Sequence, residues 1–196
     1  MNLAPDLKSA ARLVVFLNLA YFGVEFAVAL HIGSVSLLAD SADFLEDAAV
    51  NLLIAAALGW SPRGRARLGM VLAGILLAPA FAFLWVLFRK LSAPAPPDAS
   101  LLSLTGLGAL AVNLACAFTL ARFRTHAGSL SAAAFLSARN DAIANVAIIA
   151  AGLLTGPTHS IWPDIVVGFA IAAINLDAAR EVLAAARDEH RQASQP

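Results

Sequence analysis

The sequence of 196 residues is poor in charge and in cysteine. Charged residues make up 13% of it and hydrophobic residues 60%, which leaves too little polar material to cover a water-soluble domain of this size. The single cysteine, Cys116, excludes an internal disulfide framework and a cysteine-rich metal cage. A formal net charge of zero offers no basic surface for nucleic acid. These shortages argue against a soluble enzyme or a nucleic-acid-binding protein and favour a membrane domain.

Long apolar runs divide the chain into six segments, most of which reach the roughly 20 residues that a helix needs to cross a bilayer. Because the bilayer core has no water to satisfy free backbone groups, each run is predicted to be helical. We expect an all-α polytopic membrane protein with one six-helix transport domain over residues 1–180 and a short cytoplasmic tail over 181–196. The predicted spans are 13–30, 37–58, 68–88, 101–120, 130–154 and 162–176.

Basic residues gather at alternate ends of the predicted spans. One end holds only Arg89 and Lys90. The other holds Lys8, Arg12, Arg63, Arg65, Arg67, Arg122, Arg124, Arg180, Arg187 and Arg191. Since cytoplasmic loops carry the excess of Lys and Arg, both termini are predicted to be cytoplasmic, in a cell inner membrane.

Two short strings recur about 95 residues apart, as a duplicated three-helix unit would give. Asn18 in the first span corresponds to Asn113 in the fourth, and the run from Asp47 to Asn51 corresponds to the run from Asp141 to Asn145. A unit with an odd number of crossings inverts its second copy, so the sequence predicts an inverted 3+3 repeat with a substrate site at mid-depth. Chance recurrence in alanine-rich helices is the alternative.

Acidic residues fall within the predicted spans, where Arg139 accompanies them. They are Glu25, Asp40, Asp43, Glu46, Asp47 and Asp141. A carboxylate at the bilayer centre costs on the order of 3 kcal/mol, so this excess predicts a bound cation or bound protons. At about 100° per residue, Asp43 and Asp47 share one helical face and can converge on one ion. The same spacing joins Ser137 to Asp141, with Asn140 adjacent.

The remaining acids leave alternatives open. Asp40, near the mouth of its span, is either a helix cap or vestibule residue or a metal ligand. Glu46 either pairs with Arg139 or binds metal, and pairing is the favoured interpretation. Glu25 is either an interhelical polar contact or part of a water-filled path.

Several motifs resemble the cation diffusion facilitator family of metal transporters. The first two helices of that family are matched by Asn18-x-x-Tyr21-x-x-x-Glu25 and by the run from Gly33 to Asp47. The run from Ser137 to Val146 is similar to its fifth helix, and Trp162-Pro163-Asp164 to the start of its sixth. The resemblance implies six transmembrane helices, homodimers, and export of divalent transition metals from the cytoplasm in exchange for protons. It implies a secondary active transporter with no catalytic residues and no resident cofactor.

The resemblance also assigns metal ligands to this chain. Asp43, Asp47 and Asp141 match three ligand positions of a tetrahedral site on helices two and five, and Ser137 stands at the fourth, where zinc-transporting members often carry histidine. Asn140 and Asp40 are further candidates. An oxygen-rich set suits Mn²⁺ or Fe²⁺ as well as Zn²⁺, although zinc, cobalt and cadmium are the commonest substrates of the family.

A departure from the family pattern concerns the carboxyl end. Family members usually continue into a cytoplasmic ferredoxin-like domain that dimerises, whereas this chain is expected to be a minimal form without it. A homodimer would then rest on small residues of the membrane helices. These are Gly69, Ala73, Gly74, Gly168 and Ala172. The same departure motivates an alternative function, a metal-binding regulatory or partner subunit without transport activity. A passive cation channel is disfavoured, because three carboxylates would slow the exit of a divalent ion.

Overall fold

The computed structural model describes residues 3–57, 77–121 and 129–175, together with Val71 and Ile75, and their side chains at 7–52, 71, 75, 79–121 and 140–175. The described residues form six helices and no strand, which confirms the all-α prediction. The helices are α1 (Leu3–Ile32), α2 (Val35–Ala57), α3 (Leu77–Ser92), α4 (Ala99–Ala121), α5 (Ser129–Thr158) and α6 (Trp162–Asn175). The predicted tail over 181–196 lies outside the described residues.

Three helical stretches within the described residues are long and apolar enough to cross a bilayer by themselves: Leu7–Ile32, Ala99–Ala121 and Asn140–Thr158. Trp162–Asn175 is apolar but shorter. The 23 residues of α2 are long enough to span, but four of them are acidic. Two of the predicted metal ligands, Asp43 and Asp47, therefore lie on a helix that carries more charge than the three clear spans.

The turn between α1 and α2 follows from two adjacent residues. Gly33 takes a φ of 64°, a left-handed conformation that glycine adopts without steric cost, and this ends α1. Ser34 then caps α2, because its Oγ accepts a hydrogen bond from the Leu37 N–H at 3.2 Å. The α3–α4 and α5–α6 connections lie at the same end of the helices, which we call the Ser34 end. The opposite end, where α2 and α6 finish, is the Asn175 end.

Apolar side chains pack at both ends of the bundle, and polar side chains lie between them. The cluster at the Ser34 end includes Leu38, Leu102 and Ile148, all fully buried. The cluster at the Asn175 end packs α1 against α4 around Val14 and Leu120. The buried polar residues between the two clusters are Asn18, Glu25, Asp40, Asp43, Asp47, Asn51, Asn113 and Asn145. This polar layer contains most of the acidic residues that the sequence analysis singled out.

Glycines allow the closest helix contacts. A Cβ at Gly106 would lie 2.9 Å from the Ile148 side chain, so α4 and α5 pack tightly there. A Cβ at Gly168 would lie 2.9 Å from backbone atoms of Val35 and Ser36. Gly168, one of the residues predicted for a dimer interface, therefore allows close packing of α6 on α2 within one chain. Gly69, Ala73 and Gly74 lie outside the described residues.

Helix boundaries differ from the predicted spans mainly by being longer. α1 begins at Leu3 where a span from residue 13 was expected, since its polar first turns continue the helix beyond the apolar run. α5 ends at Thr158, past the predicted residue 154, because Pro157 in its last turn removes only one N–H from the helical ladder. α3 ends at Ser92, past residue 88, and thereby includes Arg89 and Lys90 in its last turn.

Candidate metal-binding site

Two aspartates of α2 point into the protein, one helical turn apart. Asp43 is 9% exposed and Asp47 is 6% exposed. Their spacing of four residues places both on one face of α2, which is the geometry that the sequence predicts. Two acidic side chains held on one buried face need a positive partner or a proton.

A cavity of about 110 Å³ brings these residues together with α5. It is lined by Asp43, Glu46, Asp47, Asn140, Asp141, Ile174 and Asn175. Three of the four principal predicted ligands therefore share one cavity, as does Asn140. Asp43 and Asp141 interact electrostatically across the interface between α2 and α5, and Asp47 is close to Asp141 as well. Glu46, predicted to pair with Arg139, also lines this cavity, while the Arg139 side chain lies outside the described part.

The described side chains around the cavity do not form a complete set of metal ligands. Among the described side chains, no group of three or more His, Cys, Asp and Glu residues is arranged to hold a metal ion. Ser137, the fourth predicted ligand, lies on α5 one turn before Asp141, but its side chain is outside the described residues. The carboxylates of α2 and α5 therefore line one cavity, and Asp47 and Asp141 lie close to each other within it.

The cavity lies towards the Asn175 end of the bundle. Its lining residues on α2 are Asp43 and residues further from the Ser34 end, and on α6 they are the last two described residues. Ile174 is 63% exposed. An ion that approaches the acidic cavity from the Asn175 end meets Asn140 and Asn175 at the rim.

Asp40 has a different environment from Asp43 and Asp47. It is fully buried and does not line the cavity. Both of its carboxylate oxygens accept hydrogen bonds from Asn145 Nδ2, at 2.9 and 2.7 Å. Asn113 Nδ2 in turn donates to Asn145 Oδ1 at 3.3 Å. This chain of contacts joins α2, α5 and α4 across the middle of the bundle, so Asp40 is tied into the interior.

Glu25 of α1 is the neighbour of Asp40. Its side chain is fully buried and interacts electrostatically with Asp40 and, more weakly, with Asp43. Although the two carboxylates are adjacent, neither Glu25 oxygen makes a regular hydrogen bond with any described group. The nearby Tyr21 hydroxyl donates instead to the Thr105 carbonyl oxygen at 2.6 Å.

A second buried cluster closes the Ser34 end. Asp164 accepts hydrogen bonds from the hydroxyls of Ser34 and Ser36, both at 2.7 Å, and pairs with Lys90 Nζ at 2.5 Å. It also accepts the backbone N–H groups of Val35 and Ser36, so a residue of α6 caps the first turn of α2. This pair is not among the sites predicted from the sequence. A lysine inside the last turn of an apolar helix was the available signal, since such a cation requires a buried partner.

Comparison with known proteins adds to this geometry. A search of the curated proteins gave no match. The family model described as the cation efflux transmembrane domain matches residues 11–189. That match covers α1 from residue 11 onwards and the other five helices in full, including both acidic helices of the candidate site. The chain therefore belongs to the cation efflux (cation diffusion facilitator) family, and it is a multi-pass membrane transporter of metal cations, not an enzyme.

Proposed function

We propose that this protein exports a divalent transition-metal cation in exchange for protons by alternating access. The observation that carries the proposal is the shared cavity of Asp43, Asp47 and Asp141, three carboxylates contributed by two helices that cross the same apolar bundle. Three negative charges without a counter-charge would cost too much free energy inside an apolar bundle. A divalent cation neutralises two of them, and protons can replace it when it leaves.

The donor chemistry suggests which metals are transported. Asp43, Asp47 and Asp141 supply oxygen ligands, and Ser137 with Asn140 would complete an oxygen-only shell. Such a shell binds Zn²⁺ but discriminates poorly against Mn²⁺ and Fe²⁺, because it lacks the imidazole that favours zinc. Zinc is the leading substrate in this proposal, in keeping with the resemblance to zinc, cobalt and cadmium transporters.

The position of the cavity supports a direction of transport. The acidic cavity lies towards the Asn175 end, whereas Asp164, Lys90 and their serine partners hold the Ser34 end together. Because Lys90 is neutralised by Asp164, the Ser34 end has even less free positive charge than the sequence suggests. In this proposal the Asn175 end and both termini are cytoplasmic, and metal enters the site from the cytoplasm.

Proton exchange uses the same carboxylates. When the cavity faces the cytoplasm, the aspartates lose protons as they bind the metal. When the bundle rearranges to face the other side, protons from outside compete the metal away. Exposure of the cavity to the outside requires the contacts at the Ser34 end to open, so those contacts act as the outer closure in this cycle.

A transport assay in proteoliposomes tests the proposal. Purified protein should move Zn²⁺ when a pH gradient is imposed, and Asp47→Asn or Asp141→Asn should abolish the movement while leaving the protein folded. Asp98→Asn is the matched control, because Asp98 is exposed and lies outside the cavity. Transport by Asp47→Asn and Asp141→Asn at the parental rate would contradict the proposed site. Zn²⁺ flux that does not respond to the pH gradient would contradict proton exchange.

The homodimer remains a prediction that rests on the family resemblance. The exposed face of α3 carries Phe81, Leu84, Trp85 and Phe88, so it is available to lipid or to a second copy. Native mass spectrometry of the protein in mild detergent distinguishes a dimer from a monomer directly. A monomer that transports metal would contradict the homodimer without affecting the proposed site.

A further inference from the structure

A cavity of about 250 Å³ lies at the Ser34 end, between the last turn of α1 and the last turns of α3. The segment that follows α3 forms its third wall through Ala93 and Ala95. Pro94 and Pro96 stand on either side of Ala95, and because proline fixes φ, this wall is preformed. A water molecule takes up about 30 Å³ in the liquid, so the cavity has room for a group of several heavy atoms.

Three basic side chains line this cavity. His31 belongs to the last turn of α1, and Arg89 and Lys90 belong to the last turn of α3. The described residues that line the cavity include no aspartate or glutamate. A concave surface lined by charges of one sign attracts a ligand of the opposite sign, so this cavity favours an anion.

Arg89 supplies the uncompensated charge. The charge of Lys90 is balanced by the buried Asp164. The Arg89 side chain is exposed, and it makes no ion pair or hydrogen bond with any other described residue. Asp98, the first acid after α3, is engaged elsewhere, since its Oδ1 accepts the Leu101 N–H at 2.8 Å as the cap of α4. The guanidinium is therefore a cation at the edge of a cavity without a counter-ion among the described residues.

The backbone carbonyl oxygens near Arg89 already have donors. The Ala93 N–H donates to the Arg89 carbonyl oxygen at 2.9 Å, and the Ser92 hydroxyl donates to that of Phe88 at 2.8 Å. The guanidinium therefore retains its N–H groups for a ligand. Its planar fork matches two oxygens of a phosphate group, and the ring N–H of His31 is a further donor on the same cavity.

The cavity lies beside apolar surface. Leu30 lines it and is 46% exposed, and Phe88 and Leu91, on either side of the basic pair of α3, are 65% and 53% exposed. In a membrane protein such side chains contact acyl chains. Basic cavities between transmembrane helices are typical binding sites for anionic head groups. A ligand with a phosphate group and acyl chains matches both the cavity and the surface beside it.

We propose that this cavity binds a phosphate group between Arg89 and His31, and that an anionic phospholipid supplies it. The acyl chains of the lipid would lie along Leu30 and Phe88. Inorganic phosphate offers the same chemistry without the chains. Because His31 and Arg89 belong to different helices, the bound phosphate joins α1 to α3. It also lies beside Lys90, so it stabilises the end of α3 that pairs with Asp164.

Native mass spectrometry of the delipidated protein in mild detergent tests the site. Phosphatidylglycerol should bind at least about tenfold more tightly than phosphatidylcholine with the same acyl chains, as expected for one or more charge-assisted hydrogen bonds. Arg89→Gln should abolish this preference. Arg12→Gln is the matched control, because it removes the same charge from an exposed position near the other end of α1, and it should keep the preference.

A second variant keeps the test independent of Arg89. Ala95→Glu places an acid on the exposed wall of the cavity, where it should pair with Arg89 and abolish the preference. Equal binding of the two lipids by the parent protein would overturn the lipid site. A preference that survives unchanged in Arg89→Gln, or in Ala95→Glu if Arg89→Gln does not fold, would also overturn it.

Inorganic phosphate distinguishes the two sources of the ligand. If the parent protein has no lipid preference but millimolar phosphate raises its thermal midpoint, and does not raise that of Arg89→Gln, the phosphate site is supported and the phospholipid is overturned as its occupant. If phosphate and phosphatidylglycerol both leave the parent protein unchanged, the site itself is overturned. None of these measurements uses metal or transport, so a failure of the proposed function would leave their results unaffected.

Discussion

Lys90 and Asp164 form an ion pair of 2.5 Å between the last turn of α3 and the first turn of α6, with side chains only 4% and 0% exposed. Asp164 simultaneously accepts the first N–H groups of α2 and the hydroxyls of Ser34 and Ser36. The charge of the aspartate is thus balanced by one lysine and by the positive end of the α2 dipole. Three helices are tied together at the Ser34 end by one carboxylate.

Removal of the lysine should destabilise the protein strongly. Lys90→Met leaves Asp164 buried without its counter-ion, and loss of one partner of a buried pair costs about 3–5 kcal/mol. The neighbouring Arg89 is exposed, so Arg89→Met is the matched control and should change stability little. Thermal unfolding of both variants in the same detergent measures the difference. Equal midpoints for the two variants would show that the pair does not hold the Ser34 end.

Gly168 should not tolerate a methyl group. The Cβ of Gly168→Ala would lie 2.9 Å from backbone atoms of Val35 and Ser36, which cannot move aside as a flexible side chain does. We expect a loss of about 1–3 kcal/mol, as for overpacked cores. Gly23→Ala is the control, because no atom of a neighbouring described helix lies within 4 Å of the position that its Cβ would take, and alanine is the better helix former. The thermal midpoint should fall for Gly168→Ala and rise slightly for Gly23→Ala.

A cysteine placed at the rim of the cavity should report which end is open. The single native cysteine, Cys116, is buried and provides an unreactive background. Ile174→Cys should react with a membrane-impermeant thiol reagent from the cytoplasmic side and be protected by Zn²⁺. Ser160→Cys, at the Ser34 end, is expected to react from the opposite side. Labelling of both positions from the same side would contradict the proposed topology.

Ser137→His should shift metal preference towards zinc. An imidazole one turn before Asp141 would add a nitrogen ligand that Zn²⁺ favours over Mn²⁺. We expect the ratio of Zn²⁺ to Mn²⁺ affinities to rise at least about tenfold, or about 1.4 kcal/mol. Competition binding with both metals gives this ratio. Ser100→His, which introduces the same group at an exposed position away from the cavity, is the control, and an unchanged ratio in Ser137→His would remove residue 137 from the ligand set.

Metal affinity should increase with pH. Carboxylates bind metal in their ionised form, so each proton displaced makes the apparent affinity rise by up to about tenfold per pH unit. The rise should be shallower in Asp43→Asn, since one titrating ligand is lost. Calorimetry in buffers of different ionisation enthalpy counts the protons released. A flat pH dependence in the parent protein would contradict competition between metal and protons.

Much of the architecture was predictable, because a bilayer requires apolar helices of a minimum length and these are visible in the composition and spacing of the sequence. Six helices follow from six apolar runs, and the shared cavity of Asp43, Asp47 and Asp141 follows from their spacing on α2 and the matching position on α5. The Asp40–Asn145 contact joins residues 105 positions apart, so no helical periodicity indicates it. It depends on how α2 packs against α5, and that packing is set by contacts distributed over the whole bundle.

The Lys90–Asp164 pair escaped prediction for a related reason. Each residue alone resembles an ordinary interfacial charge at the end of a span. Their burial depends on Gly168, which brings α6 close enough for Asp164 to reach the backbone of α2. Gly168 lies four residues after Asp164. Sequence spacing alone does not indicate that the missing Cβ of this glycine allows the Asp164 carboxylate to be buried against α2.

The capping of α2 by Asp164 also bears on how the protein is assembled. Asp164 follows Val35 by 129 positions, so most of the chain is synthesised before the cap of α2 becomes available. Until α6 is inserted, the first turn of the acidic helix keeps unsatisfied N–H groups and Lys90 has no counter-ion. Insertion of α6 is therefore the step that fixes α2 and α3 in place. A ribosome-bound chain halted before α6 should remain open to proteases and quality control.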